Sequence, residues 1–99
     1  MYIEFATDEL RRLYEDTTFK PSRFGTDVVK AYRKKVGLLV AAKDERDLTN
    51  MNSLRYKKLV ADRAGQHSIR LNDQWRLILN VITADDGKTM LILEIVDYH

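Results

Sequence analysis

Asp97, Tyr98 and His99 place a carboxylate, a phenol and an imidazole in succession, directly after an apolar, strand-like run from Met90 to Val96. An imidazole titrates near neutrality and can take or give a proton, a phenol can donate a hydrogen bond, and a carboxylate can orient either neighbour. Terminal residues usually fray, but a strand over 90–96 would pin this group to the body of the protein. Upstream, the stretch Arg63-Ala64-Gly65-Gln66-His67-Ser68-Ile69-Arg70-Leu71-Asn72-Asp73-Gln74-Trp75-Arg76 supplies three arginines around a turn-forming sequence. Paired guanidinium groups grip a phosphate through bidentate hydrogen bonds that lysine cannot reproduce. Acid-base groups and phosphate-sized cations therefore come from one half of the chain. The competing reading is a solvated surface, with Arg70 and Arg76 pairing across strands to acids such as Glu94, and it stays open at this point.

The elements that must position these residues follow from periodicity. Tyr2 to Ala6 alternates weakly and reads as a short first strand. Thr7 can cap a helix near residues 7–16, with Asp8 and Glu9 in its first turn and Leu10, Leu13 and Tyr14 at helical spacing. After a connector that holds Pro21, Val28, Val29, Tyr32, Val36, Leu39 and Val40 recur at a period near 3.6, which predicts a second helix running to about Arg46. Gly37 sits inside that helix. Asp47 to Gln66 lacks a clean period and reads as a loop with one short helical turn. The period then becomes two, through Ile69 and Leu71, Trp75 to Val81, and Leu91 to Ile95. The links Asn72-Asp73 and Asp85-Asp86-Gly87 are short and turn-forming, so these three strands form an antiparallel meander. The fold class is α+β, with two N-terminal helices packed on a small antiparallel sheet.

Alternation also assigns the faces. Ile69, Leu71, Trp75, Leu77, Leu79, Val81, Leu91, Leu93 and Ile95 are expected under the helices, with Ser68, Arg70, Arg76, Asn80, Glu94 and Tyr98 on the open face. Asp97 and His99 have the parity of the core face but lie past the last apolar residue, where a bulge could redirect them. His67 follows Ile69 and Leu71 and reads as a partly buried strand histidine. Trp75 reads as a core anchor rather than a base-stacking platform.

Composition sets the bounds. Ninety-nine residues, 44% hydrophobic and 32% charged, make one soluble globular domain over 1–99. The absence of cysteine excludes disulfides, thiolate metal sites and a cysteine nucleophile, and agrees with a reducing cytosol. No segment has the length of a membrane span, and the opening residues lack the pattern of a secretory leader. The net charge of +2 identifies no partner, yet from Ser53 to Arg76 six basic residues stand against Asp62 and Asp73, a local preference for a polyanion. Asp85-Asp86 is explained by the turn. With no cluster at ligand spacing, neither a metal nor another cofactor is expected.

The stretch Asp62 to Leu77, followed by Glu94-Ile95-Val96-Asp97-Tyr98-His99, resembles HigB-type toxins of the RelE superfamily. The likeness is close over the C-terminal half and extends to the N-terminal half in length and helix placement. It implies a bacterial toxin that cuts messenger RNA on the translating ribosome, held inactive by a small helix-turn-helix, HigA-like antitoxin. It also implies a metal-free reaction in which the ribose 2′-hydroxyl attacks the adjacent phosphorus. Under this resemblance Arg76 clamps the phosphate with help from Arg63 and Arg70, His99 transfers the proton, Tyr98 stacks or donates, and Asp97 orients one of them. Aligned on the Arg63-Ala64-Gly65 turn, Lys57 and Val60 stand where some members carry His and Lys. This leaves Lys57 as a phosphate-holding cation, with Lys58 as its alternative. A non-catalytic module that binds RNA or an acidic protein segment on the same basic face is the competing class.

Overall fold

In the computed structural model, which describes residues 1–85 and 87–97, the chain begins with strand β1 (Tyr2–Phe5) and helix α1 (Asp8–Glu15). Thr7 caps α1 as its sequence suggests, accepting a hydrogen bond from the Leu10 amide at 3.2 Å. Helix α2 covers Thr26–Ala41 and stops short of the expected Arg46. The reason is local. Ala42 leaves the helical region, and Asp44 starts a separate helix, α3 (Glu45–Asn50), by accepting from the Arg46 amide. The segment expected to be a loop thus holds most of α3, two short 3-10 turns and a two-residue strand, β2 (Lys57–Lys58).

Strands β3 (Gln66–Arg70), β4 (Trp75–Ala84) and β5 (Gly87–Asp97) form the predicted meander. Gly65, at φ 89°, supplies the left-handed turn that sends the chain into β3. The sheet order is β1-β5-β4-β3-β2. β1 runs parallel to β5 while every other pair is antiparallel, so the sheet is mixed rather than purely antiparallel. The chain leaves β1 for the helices and returns to the sheet at the far edge, which lets β5 finish alongside β1 in the same direction.

The core lies between the helices and one sheet face. Leu13, Tyr32, Val36 and Leu39 meet Ile69, Leu77, Leu79, Met90 and Ile92, all fully buried. The buried Tyr32 hydroxyl donates to the Leu10 carbonyl at 2.7 Å and ties α2 to α1. Met90 and Ile92 replace the expected Leu91 and Leu93. Ile78 pairs with Glu94 and Leu79 with Ile92, so Leu93 is an extra residue in β5, and this bulge reverses the parity of everything before it. Trp75 is only half-buried; it lies edge-on to Phe24, with ring centroids 5.5 Å apart, at the margin of the core.

Candidate functional site

The site residues are sorted by strand register. Arg70 on β3 lies directly opposite Arg76 on β4, which lies opposite Val96 on β5. Directly paired residues share a face, and the adjacent row, Ile69–Leu77–Ile95, carries the core. Arg70 and Arg76 are therefore neighbours on the face turned away from the helices. One row further along, Lys57, Ser68, Ile78 and Glu94 line up across β2, β3, β4 and β5.

Arg63 joins this face from outside the sheet. Its guanidinium lies 2.9 Å from Glu94 on β5 and donates to Gln66 Oε1 at 3.2 Å, so the side chain reaches from the β2–β3 loop across the middle strands. Ser68 and Ile78 on the same face are fully buried, although Ile78 is not part of the helix-side cluster. Arg70 pairs with Asp73 in the turn, and its carbonyl accepts from Lys35 of α2, which also donates to the Ser53 carbonyl at 3.2 Å. Burial pushes the Lys35 ammonium below its usual pKa, as do the charges of Arg70 and Lys34. Arg63–Glu94 and Arg70–Asp73 are exposed pairs, worth about 0–1 kcal/mol each, and a stronger anion can displace their carboxylates.

The structure thus brings Arg63, Arg70, Arg76 and Lys57 together on one face. Lys58 goes elsewhere, because it pairs with His67 on the helix side of the sheet. Asp97 pairs in register with Trp75, which gives it the core-side parity its position implies, and it accepts from Gln74 Nε2 at 3.0 Å at the end of the sheet. Tyr98 and His99 lie outside the described residues. Among the described residues no group of three His, Cys, Asp or Glu could hold a metal ion, and no helix is long and apolar enough to cross a membrane.

His67 has a defined setting that strand parity foresaw only in outline. Its ring stacks on Tyr56 with centroids 4.9 Å apart and planes within 4°. The Tyr56 hydroxyl donates to Glu45 Oε2 at 3.1 Å, and Lys88 donates to Glu45 Oε1 at 2.7 Å. Burial holds the imidazole below its ordinary pKa against the opposing pull of Glu45, and Lys58 adds to the depression. The Lys88 hydrogen bond lowers the Glu45 pKa, against the effect of burial. Glu45, Tyr56 and Lys88 are distant in sequence and follow no shared period, so no local signal announces this cluster.

Residues 3–99 match the family of HigB-like toxins, described as the RelE-like toxin of type II toxin-antitoxin system HigB. A search of curated proteins finds no match. Among solved structures, a YoeB/ParE toxin from Agrobacterium tumefaciens is similar over 100% of both chains, at 17% identity and a TM-score of 0.58, a likeness of fold. The YoeB-YefM complex from Staphylococcus aureus matches 100% of this chain and 97% of that one, at 17% identity and a TM-score of 0.47. The toxin-antitoxin complex RelBE2 from Mycobacterium tuberculosis matches 98% and 96%, at 18% identity and a TM-score of 0.48.

Proposed function

The chain belongs to the HigB-like family of RelE-like type II toxins, and from that premise we propose that it is an endoribonuclease that cuts messenger RNA on the ribosome. The observation that carries the proposal is the register pair Arg70–Arg76 on the sheet face away from the helices, with Arg63 and Lys57 beside it. Adjacent guanidinium groups suit a phosphodiester whose charge increases in the transition state.

In the proposed reaction the ribose 2′-oxygen bonds to the adjacent phosphorus and the bond from phosphorus to the 5′-oxygen breaks. The products end in a 2′,3′-cyclic phosphate and a 5′-hydroxyl. Arg76 holds the charge developing on the phosphorane. Arg63, Arg70 and Lys57 hold the phosphate in the ground state, with Glu94 and Asp73 giving way to it from the two arginines. His99 moves the proton, Tyr98 stacks on or donates to the nucleotide, and Asp97 orients one of the two. An antitoxin of helix-turn-helix type would keep the enzyme silent, and the ribosomal target sets the site of action in the cytoplasm.

The test separates binding from cleavage in purified variants. Arg76→Ala should lower the cleavage rate by about 30- to 1,000-fold, the loss of one transition-state charge donor, with near-native folding by circular dichroism. His99→Ala should retain ribosome affinity while cleavage falls by about 100-fold or more. Cleavage on programmed ribosomes held intact should persist in excess chelator. Undiminished cutting by both variants would overturn the assignment, and binding without cutting by the wild-type chain would identify the face as a binding surface only.

A further inference from the structure

The helical layer holds a second concentration of positive charge, independent of the sheet face. A pocket of about 140 Å³ lies between α2 and the connector from α1, lined by Thr17, Lys20, Phe24, Thr26, Val29, Lys30 and Arg33. Arg33 is locked in place: Nε donates to the Leu13 carbonyl at 2.9 Å, and one Nη donates to the carbonyls of Asp16 and Phe19 at 3.1 and 3.0 Å. Its other Nη keeps two N–H donors. No carboxylate lines the pocket. The acids nearest in sequence are hydrogen-bonded elsewhere, Asp16 to the amide and hydroxyl of Thr18 and Asp27 to Asn72, while the charge of Asp16 is also felt by Arg33. Among the described residues, Lys20 and Lys30 take part in no ion pair.

The geometry points to a binding site for a phosphate group on the helical side of the molecule. Three cations and two threonine hydroxyls outnumber what the two oxygens and single charge of a carboxylate can satisfy, whereas a phosphate monoester offers three oxygens and up to two charges. The fixed arginine means that little ordering is needed when the anion arrives. Phe24 and Val29 give the pocket an apolar wall for the organic part of the ester. A free mononucleotide and the 5′ end of an RNA present this same group.

Calorimetric titration of the full chain at constant ionic strength tests the site. The probes are inorganic phosphate, AMP, and one short 2′-O-methyl oligonucleotide with and without a 5′-phosphate. Saturable binding of AMP or of the 5′-phosphorylated oligonucleotide is expected. Lys20→Met and Lys30→Met should each weaken it by about fivefold or more, and Arg33→Lys should do likewise without removing charge. Arg46→Met, at an exposed cation that does not line the pocket, should leave it unchanged. Equal affinity for AMP and the phosphorylated oligonucleotide identifies a general phosphate-ester site, and preference for the oligonucleotide identifies an RNA-end site. No saturable binding of any probe, equal binding of both oligonucleotides, or binding lost in Arg76→Ala but kept in Lys30→Met would overturn the proposal.

Discussion

The two faces of the sheet come from the same strands, yet they do opposite work. On the helix side Ile69, Leu77 and Leu79 are wholly buried and make the core with α1 and α2. On the other side the residues between them, Arg70 and Arg76, stand next to each other with Arg63 reaching across to Glu94. A change at one position therefore acts on folding, and under the proposed function a change at the next acts on anion chemistry. A single step along β4 separates Arg76 from Leu77.

That step is the first way to break the comparison. Leu77→Ala should cost about 2–5 kcal/mol of stability, measured by urea unfolding, because it opens a cavity in a closed core. A loss below about 1 kcal/mol would mean that this face is not the one that holds the molecule together. A subtler version uses β2, where Lys57 and Lys58 are consecutive but face opposite ways. Lys57→Ala should weaken RNA binding by several fold and reduce the slope of log affinity against log salt by about 1, whereas Lys58→Ala should leave the slope unchanged. Equal effects from both would erase the distinction between the faces.

Two smaller effects sharpen the helix side. A Cβ added at Gly37 would meet the Tyr14 hydroxyl at 4.0 Å, an ordinary contact, so packing gives no reason for glycine there. Gly37→Ala should stabilise by about 0.5–1 kcal/mol, read from the denaturation midpoint. The His67–Tyr56 stack should show as a pH effect. A histidine whose pKa is lowered by folding contributes stability that is complete above its unfolded pKa of about 6.5 and is lost as pH falls through the lower folded value. His67→Phe keeps the stack without the proton, so the fall in melting temperature between about pH 7 and 5 should be smaller than in the wild type. Parallel curves would show that His67 does not titrate with folding.

Much of this division was legible in the sequence, because period-two alternation fixes the faces of β3 and β4 residue by residue. Arg70, Arg76, Ile69 and Leu77 all lie where their parity places them. Parity fails on β5, where the extra residue Leu93 exchanges Leu91 for Met90 and Ile92 in the core; Leu, Ile and Met are equally apolar, so the sequence carries no mark of the shift. β1 was foreseen as a strand, but its parallel pairing with β5 depends on a long-range contact that no local pattern encodes. Similarly, Lys57 and Lys58 are two of a kind until β2 pairs with β3 and turns them apart. The basic pocket of the helical layer escaped notice because Lys20, Lys30 and Arg33 read along the chain as ordinary solvated charges.

The most direct test of the central claim is the chemistry of the cut ends. Messages recovered after incubation of purified wild-type protein with programmed ribosomes should carry a 2′,3′-cyclic phosphate, or the 3′-phosphate formed when it opens, on one fragment and a 5′-hydroxyl on the other. Those ends require attack by the 2′-hydroxyl, the reaction assigned to the arginine face. Fragments with a 3′-hydroxyl and a 5′-phosphate, or messages left whole by a folded protein, would contradict it.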